Sequence, residues 1–453
     1  MNLPELFETH TRALLGEEYD SFAAALSADV PTSIRLNPRK ITNKPNLISI
    51  PWCENGYYLP ERPVFTMDPL LHAGSYYVQE ASSMFLEQAV KQHLKEKNPV
   101  VLDLCAAPGG KSTHLASLLD GRGLLISNEI IRSRAKILAE NLTKWGAPNV
   151  VITNNDPRNF SKFNGLFDLI VVDAPCSGEG MFRKDPQSIE EWSVNNVQLC
   201  SERQKRIVAD VFPALKTGGL LVYSTCTYNR EENEENIKWI AEELGVDVLP
   251  IQTADDWSVT DTGFGYRFFP HKTKGEGFFL SVLRKIEDEN RLKIRLDKNQ
   301  KTQKNQSLNA LKNWIIDDNY KQIISSETVS VVPSDYSDLI SALGKELKVL
   351  QSGILLGQIK GKDILPDISL ALSWIIDSQA FHVKKLTWEQ AIAYLRKDTL
   401  NFPDTPQGWI LLEYENQLLG WAKNLGNRVN NTYPQEWRIR MNVIKPLILS
   451  WIT

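Results

Sequence analysis

The sequence predicts an α/β chain organised around a doubly wound parallel sheet. Five apolar, β-branched runs (PVVLDL, GLLIS, NVVIT, FDLIVVDAP and GGLLVYST) lie between residues 99 and 225. Stretches of helical apolar spacing alternate with them at about 110–119, 131–144, 190–215 and 230–244. Alternation of this kind closes into a parallel sheet with helices on both faces. The composition agrees: 453 residues, 42% hydrophobic and 23% charged, is globular, with length for about three domains. Ligands of such sheets bind outside the carboxyl ends of the strands, so residues at strand ends are the first functional candidates.

Residues 1–75 read as an N-terminal α+β domain. Leu3, Leu6 and Phe7, then Phe22, Ala25 and Leu26, have helical spacing, and the strand-like PTSIRLNPRK and a Pro/Gly-rich stretch follow. From Gln79 the apolar positions Ala81, Met84, Phe85, Ala89 and Val90 return to helical spacing. The catalytic domain is expected over 76–285, its sheet closing with GFFLSVLRK at 277–285. Residues 286–380 read as a basic linker and an intermediate domain. Residues 291–306 hold six bases (Arg291, Lys293, Arg295, Lys298, Lys301, Lys304) and one acid, Asp297. That segment reads either as a solvated connector or as a phosphate contact. Residues 381–453 carry nine bases, six acids and Trp388, Trp409, Trp421, Trp437 and Trp451 among short strand-like runs.

Several function classes are excluded at this level. A net charge of −4 rules out a uniformly basic nucleic-acid binder, though not a local basic face. Nowhere do 18 apolar residues run together, and MNLPELFETH has acids where a signal peptide needs cations, so neither membrane span nor secretion is expected. Cys53, Cys105, Cys176, Cys200 and Cys226 are odd in number with no Cys-x-x-Cys pair, which speaks against a disulfide scaffold or zinc ribbon. His10, His72, His93, His114, His271 and His382 lack metal-ligand spacing, so no metal is expected. A soluble cytoplasmic monomer is the expectation.

Residues 100–119, VVLDLCAAPGGKSTHLASLL, read as strand, tight loop and helix start. Glycines admit close backbone approach by a ligand, and a helix N-terminus favours negative charge. A phosphate-binding P-loop needs a glycine five residues before Gly110, where Cys105 stands. A dinucleotide fingerprint fails as well, because Gly-x-Gly-x-x-Gly is absent. Glu129 follows the second strand, 20 residues after Gly109, where a carboxylate meets ribose hydroxyls in doubly wound folds. Asp156 follows the third strand; alone, either acid is more often a solvated loop residue or helix cap than a ligand contact. In this order the loop and both acids match S-adenosylmethionine: its carboxylate on the loop amides, its ribose on Glu129, its adenine near Asp156.

Asp173, Pro175 and Cys176 end the fourth strand, and Thr225 and Cys226 end the fifth. Buried free cysteine is commonly a small hydrophobe, but both thiols here fall on the sheet edge that carries the cofactor loop. An electropositive setting favours thiolate, and Arg183 and Lys184 are candidates to supply it. Cys53 and Cys200 lack such a context and read as structural. The residues leave open which thiol attacks.

DLCAAPGGKSTHLA, DAPCSGEGMFRKDP and YSTCTYNREENEENI resemble the signature blocks of the Nol-Nop-Sun RNA cytosine-5 methyltransferases, and more narrowly the RsmF-type bacterial ribosomal RNA enzymes. PTSIRLNPRK, YYVQEASSM and RFFPHKTKGEGFFL are further matches. The resemblance is strongest over about 75–285 and extends more weakly to both ends. It implies a Rossmann-like methyltransferase domain between an N-terminal RNA-binding, accessory domain over 1–75 and a C-terminal PUA-like RNA-binding region over 381–453. It also implies cofactor contacts from Cys105, Ala106, Ala107, Pro108, Gly109, Gly110, Lys111, Glu129, Asp156 and Asp173. Under it Cys226 is the nucleophile, Cys176 assists product release, and Asp173, protonated, activates the base. In cytosine methylases acting on DNA the Pro-Cys thiol attacks instead, so the reverse assignment is the alternative.

The implied reaction is methyl transfer from S-adenosylmethionine to carbon-5 of cytosine in RNA, expected to be small-subunit (16S) ribosomal RNA, through a cysteine–cytosine adduct. The partner is therefore ribosomal RNA or the small subunit. Two other readings differ in class: a non-catalytic RNA-binding assembly protein retaining the fold, and a methyltransferase for a small molecule or protein. The paired cysteines argue against both.

Overall fold

A computed structural model of the chain describes residues 2–286 and 310–444, apart from 318, 326 and 362. The basic segment 291–306 and Trp451 lie outside the described residues. Helices α1 (Glu5–Leu15) and α2 (Tyr19–Leu26) precede an antiparallel sheet of β1 (Thr32–Leu36), β2 (Ile48–Ser49), β3 (Gly56–Leu59) and β4 (Tyr76–Val78), in the order β2-β3-β1-β4. The pairing of Ile34 with Val78 carries this N-terminal sheet past residue 75. Helices α3 (Pro69–His72) and α4 (Leu86–His93) flank its last strand.

The expected alternation then follows: β5 (Val100–Asp103), α5 (Gly110–Leu119), β6 (Leu124–Asn128), α6 (Arg132–Trp145), β7 (Val150–Thr153), β8 (Phe167–Asp173), α7 (Pro186–Glu191), α8 (Val194–Val211), β9 (Leu215–Thr225) and α9 (Glu234–Leu244). The parallel strands lie in the order β9-β8-β5-β6-β7. The order reverses direction at β5, which makes the carboxyl ends of β5 and its neighbours the natural ligand crevice. Alternate strand residues face opposite cores. Val101, Leu125, Leu169 and Val222 pack with α4, α5 and α6, while Leu102, Ile126, Ile170 and Leu221 pack with α8 and α9. Burial on both faces is why these strands read as unbroken apolar runs.

The helix expected over 190–215 is shorter than the spacing suggests. Ser193 is extended and its hydroxyl accepts from Asn196 N–H at 3.1 Å, so it caps α8 and separates it from α7. Strands β10 (Val246–Leu249), β11 (Thr260–Asp261), β12 (Tyr266–Phe268) and β13 (Phe278–Lys285) complete that side, β13 running antiparallel to β9.

The middle region forms β14 (Tyr320–Ser325), β15 (Thr328–Pro333), α10 (Ser337–Glu346), β16 (Val349–Ser352), β17 (Ile354–Lys360), β18 (Asp363–Pro366) and α11 (Ile368–Leu372). It is joined to the catalytic sheet, because β16 pairs antiparallel with the edge strand β7 and Ile340 and Leu343 of α10 enter the catalytic core. A last unit holds β19 (His382–Lys385), α12 (Trp388–Arg396), β20 (Gly408–Tyr414), β21 (Gln417–Asn424) and β22 (Val429–Asn431). Two of its tryptophans are structural: Trp421 is buried, and Trp388 Nε1 donates to Met67 O of the N-terminal region at 3.1 Å. No helix among the described residues is long and apolar enough to cross a membrane.

The N-terminal helices pack against the segments that follow Cys176 and Cys226. Phe7 meets Phe182 edge-on at 5.0 Å, and Phe22 meets Tyr228 at 5.0 Å. Phe182 and Tyr228 belong to the two cysteine segments, so an aromatic core ties residues 1–26 to both.

Candidate active site

The loop after β5 is short, and α5 begins directly behind it. Gly109, at φ +119°, is the residue before the helix, a conformation a side chain would strain. With no side chain at that position, no side-chain acceptor caps the first turn of α5. Its amide donors suit an anion. The loop is held from behind: Arg134 donates to Ala107 O at 2.8 Å and Asn141 to Pro108 O at 2.8 Å.

Asp103, the last residue of β5, is the site residue that motif spacing missed. It is fully buried; one carboxylate oxygen accepts from Ser112 Oγ at 2.6 Å and the other has no partner. Burial, with Asp173 and Glu129 nearby, pushes its carboxyl up to about 7 despite the Ser112 bond and Lys111. Such a cluster calls for a cationic group. Glu129 is buried, accepting from Ile131 N–H at 2.8 Å and facing Arg134 at 3.6 Å. Asp156 caps its own turn, accepting from Arg158 N–H at 3.1 Å and pairing with Arg158 Nε at 3.0 Å. A cavity of about 230 Å³ joins Cys105, Glu129, Asp156 and Pro175. The uncapped start of α5 and the unpartnered Asp103 oxygen on the β5 segment, with the cavity lined by Cys105, Glu129 and Asp156, fit S-adenosylmethionine, which carries a carboxylate, an ammonium, a sulfonium and a ribose diol.

The thiols lie on the other side of β5. Cys176 Sγ and Cys226 Sγ are 3.0 Å apart, and Cys226 N–H points to Cys176 Sγ at 3.3 Å. Both residues are half-buried. The bond from Cys226, then burial and the charge of Glu232, raise the Cys176 thiol well above its usual range. Lys111 Nζ pairs with Asp173 Oδ1 at 2.8 Å, and Ser224 Oγ donates to the same oxygen at 2.8 Å. Lys111, expected within the cofactor loop, thus also reaches the strand that carries Cys176.

The expected electropositive setting from Arg183 and Lys184 is not found. Arg183 Nε pairs with buried Glu276 at 3.0 Å and Lys184 faces the same carboxylate at 3.7 Å. Arg183 also donates to Ala25 O and Gly275 O, so its charge is held away from the thiols. Buried Glu179 and Glu232 stand between the two cysteine segments instead, and no spacing rule had marked them.

Cys53, judged structural, is buried, as is Cys200. Among the described residues Cys53 meets His114 and Glu87, a set with metal-ligand chemistry that sequence spacing missed because it spans three separate elements. Hydrogen bonds already engage it. His114 Nε2 lies 3.0 Å from Glu87 and 3.8 Å from Cys53 Sγ, and Lys91 pairs with Glu87 at 2.6 Å. Burial lowers His114 to about 4.

Comparison with known proteins decides the family. The chain is 32% identical to the ribosomal RNA small subunit methyltransferase F of Shewanella piezotolerans over 92% of this chain and 93% of the relative. Identity to the protein of the same name from Vibrio cholerae is 31%, over 96% and 98% of the two chains. The chain belongs to the RsmF family. Residues 91–284 match the family described as 16S rRNA methyltransferase RsmB/F, residues 3–81 the RsmF N-terminal domain and residues 381–439 the RsmF PUA domain. S-adenosylmethionine is the methyl donor of RsmF-type methyltransferases. Among solved structures, a methyltransferase homologue from Pyrococcus horikoshii aligns with a TM-score of 0.54 and 28% identity over 62% of this chain and 95% of its own. NSun6 from the same organism, solved with SFG, has a TM-score of 0.54 at 22% identity, covering 63% of this chain and 99% of its own, and shows the shared fold.

Proposed function

We propose that this RsmF-type protein methylates carbon-5 of cytosine in small-subunit ribosomal RNA, with Cys226 as nucleophile and Cys176 acting at product release. The observation that carries the reading is the pair of thiols 3.0 Å apart at adjacent strand ends, beside Asp173 and the cofactor crevice. Carbon-5 of cytosine is too weak a nucleophile by itself. Addition of the Cys226 thiolate to carbon-6 forms an S–C bond and turns the ring into an enamine-like species. When bound, the donor supplies an electrophilic methyl group on a sulfonium.

This chain's residues do the rest. The contact with Cys226, burial and the charge of Glu232 hold the Cys176 thiol above its usual range, and the attacking role of Cys226 rests on the likeness of the Thr-Cys block. Asp173, with Lys111 and Ser224 on one of its oxygens, is the residue that meets nitrogen-3 or the exocyclic amine of cytosine and activates the base in this reading. After a base takes the carbon-5 proton, its bonding electrons restore the ring double bond, the S–C bond breaks and Cys226 leaves as thiolate, with Cys176 beside it at this release step. The pocket requires the target nucleotide to be splayed from any helix. The PUA region, with exposed Arg438 and Arg440, and the basic segment 291–306 supply phosphate contacts in this reading.

The test is a pair of variants. Cys226→Ala abolishes methyl transfer and forms no adduct. Cys176→Ala methylates, then stalls with RNA attached, seen as a slow band on a denaturing gel. The converse pattern reverses the assignment, and full activity in both variants removes the covalent route.

A further inference from the structure

Each cysteine segment sends a buried carboxylate into the other. Glu179, three residues after Cys176, is 2% exposed and reaches the segment after Cys226. Its Oε2 accepts from Thr227 Oγ1 at 2.7 Å, Tyr228 N–H at 2.8 Å and Asn229 N–H at 2.9 Å. Its Oε1 accepts from Trp192 Nε1 at 2.9 Å and Asn229 Nδ2 at 3.1 Å. Glu232, six residues after Cys226, is fully buried and reaches back, accepting from Ser177 N–H at 3.0 Å and Gln204 Nε2 at 2.6 Å. Asn229 Nδ2 touches both carboxylates, 2.8 Å from Glu232 Oε1. Among the described residues no ion pair engages Glu179 or Glu232, so hydrogen bonds alone compensate their burial, a costly arrangement unless complete.

The backbone between them is equally constrained. Gly180 N–H donates to Cys226 O at 2.9 Å, and a Cβ at Gly180 would stand 2.9 Å from that oxygen and closer still to Gly277 O. Glu179 therefore sits next to a direct backbone contact between the two segments that bear the thiols.

We propose that Glu179 and Glu232 are reciprocal positioning residues for the methyl-transfer reaction: Glu179 orients the Cys226 segment for attack, and Glu232 orients the Cys176 segment for release. The proposal rests on the assignment of the two thiols given above. Neither carboxylate touches RNA or donor; each acts through the loop it holds. Both oxygens of each side chain face donors, so glutamine, although isosteric, turns an N–H toward an N–H. Aspartate keeps two acceptors but withdraws them by one methylene.

The two roles separate kinetically. Full-length Glu179→Gln and Glu232→Gln are compared with wild type on unmethylated small-subunit ribosomal RNA with radiolabelled S-adenosylmethionine. Single-turnover methyl transfer, KM for both substrates, adduct on denaturing gels and melting temperature are measured. For Glu179→Gln the single-turnover rate falls about 100-fold, the scale of an ångström-level misplacement, with both KM values within about twofold. Glu232→Gln transfers its first methyl group at close to the wild-type rate, then turns over slowly and accumulates attached RNA. Glu179→Asp and Glu232→Asp show the same two patterns in weaker form, and they decide the matter if a glutamine variant does not fold. A wild-type single-turnover rate in Glu179→Gln overturns the proposal, and so does one shared defect in both variants that merely tracks melting temperature. Cys176→Ala is the control for the underlying assignment. If it traps no RNA the covalent reading fails, while the single-turnover rate of Glu179→Gln still decides whether that carboxylate acts on transfer.

Discussion

The donor half and the thiol half of the crevice are built on different principles. The donor half is one contiguous segment, β5, its loop and the start of α5, with Glu129 and Asp156 arriving at successive strand ends. The elements proposed to recognise the donor are largely backbone: the amides at the start of α5 behind Gly109 and a cavity shaped by strand order. The thiol half joins two segments 50 positions apart through side chains, with buried carboxylates crossing between them. A backbone-built site tolerates side-chain change around it; a network-built site fails when any member loses its partner.

The sharpest way to break that contrast is Gly180→Ala. Its Cβ has no room beside Gly277 O and Cys226 O, so the Cys226 loop must move. Methyl transfer should be lost, with a stability cost of about 1–3 kcal/mol from overpacking, while donor affinity measured by calorimetry stays near wild type. Equal loss of donor affinity would show that the halves are one unit.

Glu129→Ala tests the other half. Losing a charge-assisted contact costs about 1.5–3 kcal/mol, or roughly 10- to 100-fold in donor affinity. Calorimetry should register that weakening without a change in RNA binding, and an unchanged dissociation constant would remove Glu129 from the donor site.

A subtler effect comes from pH. Burial raises the Asp103 carboxyl to about 7, so the free protein holds its proton below that value. A cationic donor favours the ionised form, so affinity should rise as pH increases toward about 7 and level off above it. Asp103→Asn should flatten the profile. The sign for folding is opposite. A carboxyl raised on folding contributes stability that is present below its unfolded value and is lost as pH rises through about 7.

The smallest expected effect lies outside both halves. Replacing Lys298, Lys301 and Lys304 with alanine should weaken RNA binding modestly and flatten its salt dependence, each lost phosphate contact reducing the log–log slope by about 0.7–0.9. An unaltered slope would make residues 291–306 a connector.

The parallel strands, the starts of α5 and α6 and the strand-end placement of Cys176, Cys226, Glu129 and Asp156 were legible in the sequence, because apolar periodicity and glycine position act locally along the chain. The signature blocks named the chemistry for the same reason: each is contiguous. What tertiary structure alone decided is everything that depends on packing between distant segments. Arg183 looked available to a thiol until Glu276, 93 positions away, was seen to hold it. Asp103 looked like the end of a strand until full burial beside Asp173 and Glu129 changed its protonation. The reach of Glu179 and Glu232 into each other's loops follows no spacing rule, since the distance between two carboxylates and the amides they accept is set by how β8 and β9 pair and not by sequence separation. Periodicity reports which face of an element is buried; only the assembled sheet determines which neighbours that burial brings within hydrogen-bonding distance.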